Sequence, residues 1–150
     1  MKNKIMIIGC GGIGSYLISL LDRANRMNTT TMLYDITVYD PDVVETKNLS
    51  YQNFDVDDVG LNKAEALAVS YNFKPQPYKV LTPSQIEGYD LVICCADNLD
   101  VRKMLYKSGI RWLDLRAQGR AGLLVSSDED PKLYSTLTAG PEGSFSCQGD

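Results

Sequence analysis

Four kinds of residue in this sequence have the types and spacing to hold a polyphosphate. Gly9, Gly11 and Gly14 stand in Gly9-Cys10-Gly11-Gly12-Ile13-Gly14, a G-x-G-x-x-G pattern with Gly12 beside it. Without side chains such a turn can be tight, and its backbone can approach a phosphate. The helix that follows offers that anion free N–H groups and a positive dipole end. Asp40 can accept both hydroxyls of a ribose, or serve as a turn-forming aspartate before Pro41. Asn48 can hold a phosphate or substrate oxygen, or close a local Asx turn. Lys63, three residues after Gly60, can neutralise phosphate charge as a mobile point cation, or be a solvated helix-face lysine. Asp97, followed by Asn98, can hold Mg²⁺, which prefers oxygen ligands and keeps several waters. Either residue also suits the cap of the next helix. Alone, the glycine pattern fits dinucleotides and ATP equally.

The surrounding elements must bring these residues together. Lys4–Ile8 reads as a buried strand running into the glycine turn. Gly12–Arg26 reads as a helix with Ile13, Tyr16, Leu17, Leu20 and Leu21 on one stripe. Residues 25–31 form a polar loop, and Asp35–Tyr39 is a second strand ending at Asp40-Pro41. Residues 42–58 make a connection long enough to suggest function. Leu61–Tyr71 is a predicted helix, and Tyr78–Leu81 a short edge strand bounded by Pro75 and Pro77. Asp90–Cys94 is a near-continuous apolar strand, which places Cys94 and the adjacent Cys95 on opposite faces. Leu99–Lys107 is a helix, Arg111–Leu115 and Ala121–Ser126 are strands, and the Gly/Ser-rich sequence from Pro141 is irregular. The alternation predicts one α/β domain over residues 1–150, a doubly wound, mostly parallel Rossmann-like sheet with helices on both faces. Its ligand belongs at the carboxyl ends of the strands.

Composition narrows the chemistry. The sequence has 150 residues, 44% hydrophobic and 23% charged, with a net charge of −4. No long basic run is present, which argues against a nucleic-acid surface. Histidine is absent, which removes Ser-His-Asp and Cys-His catalysis and His-ligated metals. Cys10, Cys94, Cys95 and Cys147 form no C-x-x-C pair, so no zinc site is expected, and a reduced, cytoplasmic protein is the simplest reading. Lys2 and Lys4 precede an apolar run that breaks at Gly9, which disfavours a signal peptide. No apolar run has the length of a membrane span.

Taken together, Gly9–Gly14, Tyr39-Asp40-Pro41-Asp42-Val43-Val44, Asn48-Leu49 with Gln52, Gly60-Leu61-Asn62-Lys63, and Cys95-Ala96-Asp97-Asn98 with Arg102 resemble the ThiF/MoeB/HesA family, bacterial relatives of ubiquitin-activating enzymes. A looser match extends to about Cys147. The resemblance implies an ATP-dependent adenylyltransferase. Its partner would be a small ubiquitin-like or sulfur-carrier protein ending in Gly-Gly, whose C-terminal carboxylate is activated. It implies that Gly9, Gly11, Gly12 and Gly14 line the phosphates, that Asp40 takes the ribose, that Asn48 and Lys63 contact phosphates, and that Asp97, beside Asn98, binds Mg²⁺. Arg102 matches a family arginine that can orient the loop at Asp97. Homodimerisation is also implied. A carboxylate nucleophile is already ionised, so no general base is required, which suits a chain without histidine.

The sequence also departs from that pattern. Tyr51 stands where the family has an arginine, and the eight residues before Gly9 hold no counterpart of the family arginine that reaches a neighbouring subunit. The family's zinc-binding C-x-x-C pairs are missing, and Ser144-Phe145-Ser146-Cys147 looks like half of one with its first cysteine replaced. Arg116 and Arg120 follow a predicted strand end and can either replace the missing cations or lie solvated in a loop. Cys147 has the exposure expected of a thioester-forming nucleophile, but no neighbouring base or cation in the sequence. Cys10 reads as a small spacer. The family pattern continues beyond Cys147, so a minimal or a truncated form is expected. Three readings remain open. These are the adenylating enzyme, a nucleotide-binding interaction module without turnover, and an NAD-binding oxidoreductase domain that would leave Asn48, Lys63 and Asp97 unexplained.

Overall fold

The computed structural model describes residues 3–27, 34–118 and 120–136. Six strands form one sheet in the order β3-β2-β1-β4-β5-β6. Strands β1 (Asn3–Ile8), β2 (Tyr34–Tyr39), β3 (Lys74–Gln76), β4 (Leu91–Cys94) and β5 (Trp112–Gln118) pair in parallel, and β6 (Ala121–Ser126) returns antiparallel to β5. The central strand β1 is buried on both faces. Ile5 and Ile7 pack with Ile18 of α1 (Gly12–Met27) and with Ala64 and Leu67 of α2 (Lys63–Ala68). Met6 and Ile8 pack with Val101 and Leu105 of α3 (Leu99–Tyr106) and with Trp112. A parallel strand covered on both sides needs this continuous apolar run. The doubly wound, mostly parallel sheet with helices on both faces is therefore as expected. Cys94 and Cys95 do fall in opposite cores. Strand order reverses between the parallel neighbours β1 and β4, and a crevice opens at their carboxyl ends.

Several elements differ from the sequence expectation. The edge strand is Lys74–Gln76, not Tyr78–Leu81. Pro75 is tolerated because β3 pairs on one side only, with Val38 opposite it. Val80 is buried in the second core without joining the ladder, which explains why its segment has a strand-like pattern. Helix α2 begins only after Asn62, whose Oδ1 accepts the Glu65 N–H at 3.0 Å, and ends at Ala68. Leu61 and Tyr71, which belong to the expected stripe, lie outside it. On α1, Tyr16 and Leu20 are 48% and 62% exposed while Ile18 is buried. That helix rests on the sheet through a narrower stripe than the apolar residues suggest. Strand β5 extends to Gln118 because β6 pairs along it, and the short helix α4 (Pro131–Thr136) was not expected from the sequence. No described helix is long and apolar enough to cross a membrane.

Candidate nucleotide site

The crevice is a cleft of about 370 Å³, lined among others by Gly9, Gly11, Gly12, Asp40, Gln52, Lys63, Asp97 and Asn98. The glycine turn is built by contact. Gly9 has φ +91°, its N–H donates to the Tyr39 carbonyl at 2.9 Å, and a Cβ there would meet Ala96 N at 2.9 Å. A Cβ on Gly14 would come 2.0 Å from the Gly9 carbonyl oxygen. Gly14 is thus the close contact that seats α1 under the turn, and it does not itself line the cleft. Only glycine satisfies both positions.

Asp40 is buried at the end of β2 and ties the turn to the next loop. Its Oδ2 accepts the Cys10 N–H at 2.8 Å and its Oδ1 accepts the Asp42 N–H at 2.8 Å. The second bond is the Asx turn that the sequence left open, and the same carboxylate still faces the cleft. Burial pushes its carboxyl pKa above the ordinary value, against the lowering effect of the two N–H donors and of the nearby Lys63. Cys10 also reaches Asp40 through its thiol. Burial, followed by the Asp40 charge, raises that thiol's pKa well above the usual range. Burial and Asp114 push Cys94 up to about 12. Both thiols therefore stay protonated and unreactive, in keeping with the spacer reading of Cys10.

Lys63 reaches the cleft because Asn62 locks the start of α2. The Asn62 side-chain amide donates to the carbonyls of Asp40 and Asp42 at 2.8 and 3.2 Å, and the Lys63 N–H donates to Asp42 O at 2.9 Å. The Lys63 residue is only 8% exposed, yet it makes no ion pair with a described residue. Gln52, whose role no local sequence pattern specifies, is a second group without a partner at the cleft. It is buried, lines the cleft beside Gly11, and its Oε1 has no hydrogen-bond partner. The neighbouring Asn53 fixes it there by donating to Ser15 Oγ and Ser15 O on α1.

On the other side, Asp97 and Asn98 follow β4. Asn98 caps α3 by accepting the Val101 N–H at 3.1 Å. The Asp97 side chain is 25% exposed and pairs with Arg102 at 3.5 Å. Among the described residues no group of three or more His, Cys, Asp or Glu could hold a metal. A Mg²⁺ at Asp97 would therefore complete its shell with nucleotide oxygens and water.

Other expected residues lie elsewhere. Asn48 is buried but turned into its own loop, where Oδ1 accepts the Glu45 N–H at 2.7 Å, and it does not line the cleft. Arg116 is buried against Asp114 and Tyr106, and Arg120 is exposed in the β5–β6 turn; neither lines the cleft. Cys147 lies outside the described residues. Tyr78, Lys79 and Val80, expected from the sequence only as part of an edge strand, close one wall of the cleft. Their partly apolar character was the available signal.

The ThiF family pattern matches residues 1–134. This chain belongs to the ThiF family. Among curated relatives, adenylyltransferase and sulfurtransferase UBA4 of Yarrowia lipolytica is 30% identical over 120 residues, covering 73% of this chain and 28% of that protein. Ubiquitin-like modifier-activating enzyme 5 of Aedes aegypti is 27% identical over 123 residues, covering 67% and 29% respectively. The ThiF-type segment thus spans less than a third of these relatives. Among solved structures, E. coli MccB with ATP is 20% identical with a TM-score of 0.66, covering 95% of this chain and 50% of that one. E. coli tRNA N6-threonylcarbamoyladenosine dehydratase TcdA in complex with ATP is 24% identical with a TM-score of 0.65, covering 79% and 53%. At these identities the two structures share the fold.

Proposed function

We propose that this ThiF-family chain binds MgATP in the cleft and adenylates the C-terminal carboxylate of a small ubiquitin-like or sulfur-carrier protein. The observation that carries the reading is Lys63. It is a largely buried lysine without an ion pair among the described residues, held at the cleft that the glycine turn and Asp97 also line. Burying a charge is costly unless something compensates it, and a polyphosphate supplies the missing partner. Gln52 Oε1, buried and without a partner, is a second group that a ligand donor would satisfy.

In this reading the glycine turn and the start of α1 take the phosphates. Asp40 accepts from the ribose, and Lys63 balances charge where the carrier carboxylate meets the α-phosphate. One carboxylate oxygen bonds to the α-phosphorus, and the bond to the bridging oxygen breaks. Pyrophosphate leaves with that electron pair, and no proton moves. Bound Mg²⁺ would neutralise the departing phosphates, and Asp97, with Asn98 beside it, would hold the ion. The family relationship supports the further expectations of a Gly-Gly carrier end, a homodimer and a cytoplasmic setting.

A second reading, a nucleotide-binding module without turnover, has its own support. Tyr51 stands where the family has an arginine, and Arg116 is engaged by Asp114 and does not line the cleft. Calorimetric titration with MgATP and with NAD⁺, followed by ATP–pyrophosphate exchange in the presence of Gly-Gly-ended carriers, separates the possibilities. MgATP binding with carrier-dependent exchange is the expected result. MgATP binding without exchange on the cognate carrier favours the module. Binding of NAD⁺ alone overturns both.

A further inference from the structure

Asp97 is the end of a chain of side chains that begins deep in the sheet. Asp114 on β5 is fully buried, and its Oδ1 lies 3.4 Å from Arg102 Nε. The same guanidinium, projecting from the first turn of α3, approaches Asp97 Oδ1 through Nη1 at 3.5 Å. Asp114 is held from its other side as well. The Tyr106 hydroxyl donates to Oδ2, and Arg116 Nε and Nη2 donate to that oxygen at 3.2 and 3.1 Å. Arg116 Nη2 also donates to the Tyr106 oxygen at 2.7 Å. Two carboxylates and two guanidiniums balance in charge, and only Asp97 emerges at the cleft.

We infer that Arg102 and Asp114 are positioning residues that aim the Asp97 carboxylate at the metal, an inference that rests on the MgATP reading above. Asp97 is a quarter exposed at the end of a strand, where an isolated carboxylate would sample several rotamers. Mg²⁺ demands near-ideal octahedral geometry, so a metal-facing carboxylate gains from an orienting partner. Arg102 can orient Asp97 because its planar fork reaches both carboxylates from a rigid helix. A lysine, as a point charge, cannot hold both in that geometry. Asp114 fixes the fork, and Tyr106 with Arg116 fixes Asp114.

The test is calorimetric titration of the full chain with ATP, once with Mg²⁺ and once with EDTA. The proteins are the unmutated chain, Arg102→Lys, Asp114→Asn, Asp97→Asn and the Arg102→Lys/Asp97→Asn double variant. The unmutated chain is expected to bind ATP more tightly with Mg²⁺. Arg102→Lys and Asp114→Asn should each lower that Mg²⁺-dependent gain by about tenfold or more and leave metal-free ATP affinity unchanged. In the Asp97→Asn background, Arg102→Lys should have no further effect. A purely structural link between α3 and β5 would instead weaken both titrations equally. Should the variants fail to fold, the Arg102 Nε–H resonance of the unmutated, ATP-loaded chain decides, because it must shift when Mg²⁺ is added. Retention of the full Mg²⁺ gain in both single variants, or an unmoved resonance, overturns the positioning role alone. Absence of any Mg²⁺ gain in the unmutated chain overturns the MgATP reading with it.

Discussion

Two buried polar regions sit side by side at the carboxyl end of this sheet, and they are built on opposite principles. Around Asp114 every charge is answered. Arg102, Tyr106 and Arg116 converge on one carboxylate, and Arg116 also bonds the tyrosine. In the cleft, Lys63 has no ion pair with a described residue and Gln52 Oε1 has no partner. Equal burial therefore means different things. Satisfied polar groups rigidify a structure, whereas unsatisfied ones store a binding preference that a ligand of the right chemistry can realise. Charge and sequence position alone do not separate the two. Arg116 and Lys63 are both basic residues close to strand or helix ends, and only the pairing shows which one is available.

The widest contrast should be in stability. Asp114→Ala removes the carboxylate that two buried guanidiniums share and is expected to cost about 3–5 kcal/mol. Lys63→Ala removes a charge that makes no ion pair with a described residue, so stability should change by less than about 1 kcal/mol. Its MgATP affinity should nevertheless fall by about tenfold or more. Denaturant unfolding and calorimetry on the two variants test the distinction. Comparable destabilisation by both would erase it.

A second pair sharpens the same contrast within the glycine turn. Gly14→Ala would drive a methyl group to 2.0 Å from the Gly9 carbonyl. It should cost about 1–3 kcal/mol and displace the turn, with loss of nucleotide binding. At Gly11 the nearest atom to an added Cβ is Gln52 Nε2 at 3.5 Å, an ordinary contact. Gly11→Ala should therefore keep stability within about 1 kcal/mol, so any loss of affinity there reports crowding of the ligand. Thermal unfolding with and without MgATP distinguishes the two. A Gly14→Ala protein as stable as the parent would refute the packing argument.

These sites also show what could be read from the sequence. The strands expected at Lys4–Ile8 and Asp90–Cys94, the glycine turn, and the placement of Asp40, Lys63 and Asp97 at the cleft were legible because each is a local pattern at or near the end of an element. What escaped depends on partners far apart in sequence. The pairing of Arg102 with Asp114, the bonds from Asn62 back to Asp40 and Asp42, and the seating of Gln52 through Asn53 on Ser15 are all of this kind. Asn48 has a side chain suited to phosphates, but its own loop engages its carbonyl oxygen. Strand β3 escaped because two prolines flag an edge without specifying which of the neighbouring residues pairs with Val38.

Gln52 gives a smaller and more pointed test. Gln52→Leu removes the buried oxygen that has no partner. Stability should stay within about 1 kcal/mol of the parent, because no described bond to that atom is lost. Nucleotide affinity should fall by about 1 kcal/mol, the net value of one hydrogen bond. Calorimetry on a variant with unchanged unfolding midpoint is the check. Unchanged affinity would mean that the orphaned oxygen does not face the ligand.

The smallest expected effect concerns Asp40, whose carboxyl pKa burial raises above 3.8 despite the N–H donors from Cys10 and Asp42. A carboxyl that holds its proton more tightly when folded contributes stability that is fully present below its unfolded pKa. That contribution is lost as pH rises through the folded pKa. In Asp40→Asn this term is absent. Whatever constant offset the substitution brings, the stability difference should therefore move in favour of Asn as pH rises from about 3.8, then level off once Asp40 is ionised. Ribose binding should run the other way, since hydroxyls donate best to the carboxylate, so MgATP affinity should weaken as pH falls through the raised pKa. Denaturant unfolding of both proteins across the acid range gives the sign. A difference that moves against Asn with rising pH would mean that the Cys10 and Asp42 donors outweigh burial. Asp40 would then belong with the fully satisfied carboxylate at Asp114, on the structural side of the comparison.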